Sequence, residues 1–139
     1  MISRTSKYAL EILGYIACHP GEWVQGAQIA RATAIPPNYL SKILNQLRKR
    51  DFVVSRKGWG GGFQLKKRAA NVPLLGVLEV FDGKRADGEC VFGLRKCDQQ
   101  NPCPLHEHWS VIREKYKEMM SSLTVANLGP SGHATARRR

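Results

Sequence analysis

The stretch AIPPNYLSKILNQLRKRDFVVSRKGWGGGFQLKK, residues 34–67, changes its hydrophobic period halfway along. Over the first half, Tyr39, Leu40, Ile43, Leu44 and Leu47 recur at the three-and-four spacing of an amphipathic helix. Ser41, Lys42, Asn45, Gln46 and Lys49 fall on its other face. Pro36 and Pro37 suit the entry, because a proline at the first helical position gives up an N–H that has no partner there anyway. Past Asp51 the pattern becomes two short apolar arms, 53–56 and 63–65, around a glycine-rich tip at 57–62, which is a hairpin. A helix followed at once by such a hairpin is the second half of a winged helix-turn-helix.

Upstream, residues 5–18 read as a helix through Tyr8, Ala9, Ile12, Leu13, Ile16 and Ala17, stopped by Pro20 and Gly21. Basic residues ahead of this apolar stretch imitate a signal peptide, but Glu11 interrupts it and no small-residue cleavage pattern follows Cys18. A short helix over 25–33 buries Ile29 and Ala30. Downstream, 72–83 (VPLLGVLEVFDG) reads as a helix ending at Gly83, and a final helix from about 104 to 123 carries Leu105, Trp109, Ile112, Tyr116, Met119, Met120 and Leu123. Those steps of four and three form a coiled-coil-like seam. A long helix closing so small a domain favours packing on a twin, with Trp109, Ile112, Tyr116, Met119 and Leu123 in contact. The stretch 124–139 has no period and reads as disordered. The expected fold is mainly α with a small β-hairpin. It divides into a winged helix-turn-helix over 1–83, a cysteine loop over 84–104, a dimerisation helix over 105–123 and the tail.

Charge points to the partner. Residues 1–70 carry 12 Lys/Arg against 3 Asp/Glu, and 71–139 carry 10 against 8, within a total formal charge of +11 over 139 residues. A positive excess confined to one half suits a polyanion, and no run approaches the roughly 20 apolar residues of a membrane span. In a helix-turn-helix the second helix enters the major groove, which here presents Asn38, Tyr39, Ser41, Lys42, Asn45 and Gln46 to base edges. Asn and Gln can pair with adenine and Lys with guanine. The wing adds Arg56, Lys57, Lys66, Lys67 and Arg68, with Trp59, Gly60 and Gly61 at its tip, where glycine backbone can follow a groove closely. The glycines lack the spacing of a nucleotide-phosphate loop and lie between strands, so no such ligand is expected.

Sulfur is concentrated at 90–109, CVFGLRKCDQQNPCPLHEHW, which holds three of the four cysteines. The cytoplasm expected for a chain of this kind disfavours a disulfide staple. The spacing Cys90-x6-Cys97-x5-Cys103-x2-His106 contains no short knuckle of a structural zinc site and no ferredoxin-type run. Soft thiolates and wide gaps leave an iron–sulfur cluster ahead of zinc, and a regulator using zinc or a thiol switch without a cluster is the alternative. Cys103 and His106 lack an orienting third group, which makes a poor nucleophile–base pair, and an enzyme with a small-molecule substrate is not expected.

Five stretches carry a resemblance: SKYAL, PPNYLSKILNQLRK, VVSRKGWGGGFQL, VLEVFDG and the cysteine loop. Together they make the chain similar to the Rrf-two family of winged-helix regulators, which includes iron–sulfur and nitric-oxide-sensing members. The resemblance implies a homodimeric regulator of double-stranded operator DNA. It places an iron–sulfur cluster on Cys90, Cys97 and Cys103, with His106 as fourth ligand, and favours [2Fe–2S] over [4Fe–4S]. The first cysteine gap is one residue longer than in the family's cluster regulators. The N-terminal aspartate ligand of the nitric-oxide sensors falls on Lys7, which cannot serve, and leaves Glu11 as the alternative ligand on that helix.

Overall fold

The computed structural model describes residues 2–83 and 100–129. Ser3 starts the first helix, its hydroxyl accepting from the Ser6 N–H at 3.1 Å. Helix α1 (Arg4–Ala17) buries Ala9, Ile12, Leu13 and Ile16 on one stripe, and most of the domain packs against it. Helix α2 (Gly26–Thr33) ends at Ala34, whose φ of 59° lies in the left-handed region. Helix α3 (Pro37–Lys49) has Pro37 at its first position and buries Leu40, Ile43, Leu44 and Leu47, the stripe its spacing predicts. Strands β1 (Val53–Arg56) and β2 (Gly62–Leu65) pair antiparallel, from Val53 opposite Leu65 to Arg56 opposite Gly62.

A third segment joins the hairpin, one that hydrophobic pattern does not reveal. Val24 and Phe63 exchange two backbone hydrogen bonds of 2.9 and 2.8 Å, so the segment before α2 pairs with β2. The approach requires glycine at position 62. Its φ is 147°, and a Cβ there would sit 2.5 Å from the Val24 carbonyl oxygen. Gly62→Ala is therefore expected to lower the unfolding free energy by about 2–3 kcal/mol, read as a reduced urea midpoint at constant slope.

Helix α4 (Leu74–Asp82) ends at Gly83, and α5 (His106–Ser122) packs back on α4. A buried polar tie joins α1 to α4, where the Ser6 hydroxyl donates to Asp82 Oδ2 at 2.7 Å. The stretch after α5, expected to lack structure from 124 onward, instead folds through 129. Thr124 bridges Pro73, Leu74 N–H donates to the Leu123 carbonyl at 2.8 Å, and Val125 N–H donates to Val72 at 3.0 Å. A 3-10 turn (Val125–Leu128) puts Val125 fully in the core against α1. One apolar pair in a four-residue turn has no period to detect. Residues 130–139 lie outside the described residues. Among the described residues no helix is long and apolar enough to cross a membrane.

The seam of α5 also divides. Tyr116, expected at a twin's surface, is 8% exposed and packs into its own chain's core with Met120, whereas Ile112 and Met119 are 50% and 44% exposed. The reason is rotation: Tyr116 and Met120 sit on the flank of the helix that meets α4, next to the exposed stripe. Burial raises the Tyr116 phenol above its ordinary pKa of 10.0, and the Asp82 charge pushes it the same way. The folded state thus holds the phenolic proton more tightly than the unfolded chain. Stability is expected to fall as pH rises past about 10. The phenol oxygen has no hydrogen-bond partner among the described residues. Tyr116→Phe should accordingly be neutral or stabilising by up to about 1 kcal/mol at pH 7 and flatten the alkaline limb, as read by denaturant unfolding at pH 7 and 10.5.

Candidate nucleic-acid interface

Helix α3 presents Asn38, Ser41, Lys42, Asn45 and Gln46 to solvent, all on turns whose opposite face is core. Two of the expected contact residues are already oriented. Tyr39 meets the Tyr8 ring edge-on at 6.4 Å between centroids, which ties α3 to α1 while the ring stays half exposed. Asn45 accepts from Arg48 Nη2 at 2.7 Å, so its carboxamide is turned with the NH2 free to donate.

In the wing two of the expected contact residues also shape the tip. The Arg56 guanidinium lies 4.5 Å over the Trp23 ring and donates to the Gly60 carbonyl at 2.8 Å. Its charge braces the tip while the residue itself stays exposed. Gly61, expected at a partner's surface, is buried, and a Cβ there would run into the Arg56 carbonyl. It serves the shape of the turn, whereas Gly60 stays exposed. Lys66 pairs with Asp51 at 2.9 Å across the hairpin base and holds that carboxyl below its usual range. Lys57, Lys67 and Arg68 are exposed, and Trp59 at the tip is fully exposed, at 104%. An indole of roughly 200 Å² left in water forgoes on the order of 5 kcal/mol of burial.

Between α2, α3 and the hairpin runs a groove of about 690 Å³. Its floor is apolar and small, with Ala27, Ala30, Leu40, Leu44 and Phe63, and Arg48, Arg56 and Lys57 supply cations with no carboxylate among the lining residues. Sequence reading missed Arg48. It stands seven residues after Ser41, on the same flank of α3, and that spacing was the available signal.

Of the proposed metal ligands, Cys90 and Cys97 lie outside the described residues. Cys103 and His106 are both half-buried at the entry to α5, joined in one turn by the His106 N–H to Cys103 carbonyl bond of 3.0 Å. A thiol and an imidazole so placed are suitable donors for iron or zinc. Glu11, the alternative ligand, is half-buried on α1. Among the described residues no three His, Cys, Asp or Glu side chains come together, so Glu11 does not join Cys103 and His106 within one chain.

Comparison with known proteins fits this geometry. A family model described as "Rrf2: Iron-dependent Transcriptional regulator" matches residues 2–130. The chain is 30% identical over 130 residues to an Aquifex aeolicus (strain VF5) protein assigned to the HTH-type transcriptional regulators, covering 92% of this chain and 90% of that one. It is 27% identical over 128 residues to the HTH-type transcriptional regulator IscR of Yersinia pestis, covering 91% and 77%. The fold is that of CymR, the global cysteine regulator of B. subtilis, at a TM-score of 0.72 and 24% identity over 92% of this chain and 95% of that one. It is also that of T. potens IscR, at 0.71 and 19% over 100% and 92%. The match over almost the whole chain shows that this protein belongs to the Rrf2 family of transcriptional regulators and is not an enzyme.

Proposed function

We propose that the protein acts in the cytoplasm as a homodimer on double-stranded operator DNA, with an iron–sulfur cluster setting its affinity. The observation that carries this reading is a surface whose central groove is lined by cations with no carboxylate among its lining residues. It runs from the exposed polar face of α3, across the groove holding Arg48, Arg56 and Lys57, to the wing. In the proposed complex α3 reads the major groove through Asn38, Ser41, Lys42, Asn45 and Gln46. The phosphodiester ridge between the grooves lies along the acid-free channel, its sugars on the apolar floor.

The twin is proposed to cover Leu105, Ile112 and Met119, which recur every seven residues and are 44%, 50% and 44% exposed, with Trp109 and Leu123 beside them. Cys90, Cys97, Cys103 and His106 are the proposed cluster ligands, for [2Fe–2S] in preference to [4Fe–4S]. Bound there, the cluster supplies an iron–sulfide centre that oxidants or nitric oxide can attack. His106 opens α5 and Cys103 stands three residues before it, so order in their loop bears on how α5 meets its twin. Half-sites about 34 Å apart tolerate little change in that geometry.

Selection from a random-sequence duplex library tests the DNA reading. Enrichment of two similar half-sites one helical turn apart is expected, with affinity falling steeply as salt rises. No enrichment over input would overturn it. Iron and labile sulfide in equal amounts are expected in protein purified without air. Zinc, or thiols alone, without sulfide would replace the cluster by a zinc or thiol switch on the same dimer.

A further inference from the structure

Resting on that DNA-binding reading, we infer that Trp59 enters the minor groove as an apolar wedge, partly unstacks a base step and bends the operator. Three observations converge on it. Trp59 is the only one of the large hydrophobics among the described residues with no part of its side chain covered. Gly58 and Gly60 on either side have φ values of 90° and 72°, so the chain reverses sharply and the indole stands at the apex. The apex is stiff, because Arg56 stacks on Trp23 and donates to the Gly60 carbonyl, while Gly61 is packed against the Arg56 backbone.

A rigid, uncharged plane with cations directly behind it suits insertion between bases. Lys57 and Arg56 can stay with the phosphates while the indole goes deeper. A flexible tip bearing the same ring would lose the ordering entropy on binding; here the brace has already ordered it. An indole used only against a sugar needs no such projection.

The test uses the full chain labelled with fluorotryptophan, whose three tryptophans give three fluorine resonances, with Trp59→Ala assigning one. The duplexes are those enriched by wild-type protein, with 2-aminopurine scanned through the flanks and dyes at the ends for energy transfer. The Trp59 resonance is expected to shift and broaden on saturation, a flank 2-aminopurine to brighten, and the ends to draw together. Trp59→Ala should bind about tenfold more weakly, bend the duplex less and leave 2-aminopurine dark, with Trp59→Phe between the two. Equal affinity and bend for Trp59→Ala would overturn the wedge. So would a shifted resonance with no change in bend or base fluorescence, which would make the contact a sugar contact. If wild-type protein enriches no duplex, the DNA-binding reading itself fails and the wedge with it.

Discussion

Ile112→Asp is expected to convert the protein to a monomer and to weaken operator binding about a hundredfold. Ile112 lies midway between Leu105 and Met119 on the exposed stripe of α5 and is itself half exposed in the single chain. In a two-fold dimer each copy meets its counterpart, so one substitution brings two carboxylates into an apolar seam. The loss of DNA affinity follows from the loss of linkage, since two half-sites bound by one dimer gain an effective concentration that separate monomers lack. The domain itself should survive, because Tyr116 and Met120 carry the packing of α5 on its own chain. Sedimentation equilibrium and operator titration on one sample read both effects, with helical circular dichroism as the check on folding. A dimer that persists with full affinity would move the interface elsewhere.

The second large effect separates reading from gripping. Lys42→Ala is expected to cost roughly 1–3 kcal/mol on the selected operator, about ten- to a hundredfold, and to relax preference at one or two positions of each half-site. Arg48→Ala should weaken selected and unrelated duplexes by similar factors and reduce the salt dependence by about one counterion per subunit. The contrast rests on placement: Lys42 stands on the exposed crest of α3, whereas Arg48 stands on its flank in the groove shared with Arg56 and Lys57. If both variants lose affinity uniformly, α3 does not read bases through Lys42. If Arg48→Ala alone changes preference, Arg48 acts on base reading through the Asn45 carboxamide it holds and not only on the backbone.

How much of this was legible in the sequence depended on length and period. Helix α3 announced itself through Pro37 and four core positions at helical spacing, and the hairpin through two arms around clustered glycines. The rung between Val24 and Phe63 involves one residue on its outer side, so no alternation exists to be read. The turn holding Val125 is likewise too short for a period. On α5 the apolar positions expected at a seam divide, because spacing alone does not say that Tyr116 faces inward while Ile112 and Met119 stay half exposed. That choice is made by where α4 lies, a tertiary fact.

At the candidate interface, residue type alone does not show which wing residues also shape the tip. Gly61 is buried in the turn, and Arg56, though exposed to a partner, also holds the tip that carries Trp59. Arg48 was passed over because it follows the polar crest by less than a turn and points sideways into the groove. For the cysteine loop, the described residues bring Cys103 and His106 into one turn and leave Cys90 and Cys97 outside the description.

Operator affinity on a single sample purified without air, taken before and after its cluster is stripped by chelation, is the deciding experiment. A brown protein with matching iron and sulfide, whose affinity for the selected operator changes at least tenfold on stripping and returns on reconstitution, is the predicted result. Equal affinity in the two states would contradict it, leaving a DNA-binding dimer whose cysteines do not control its grip.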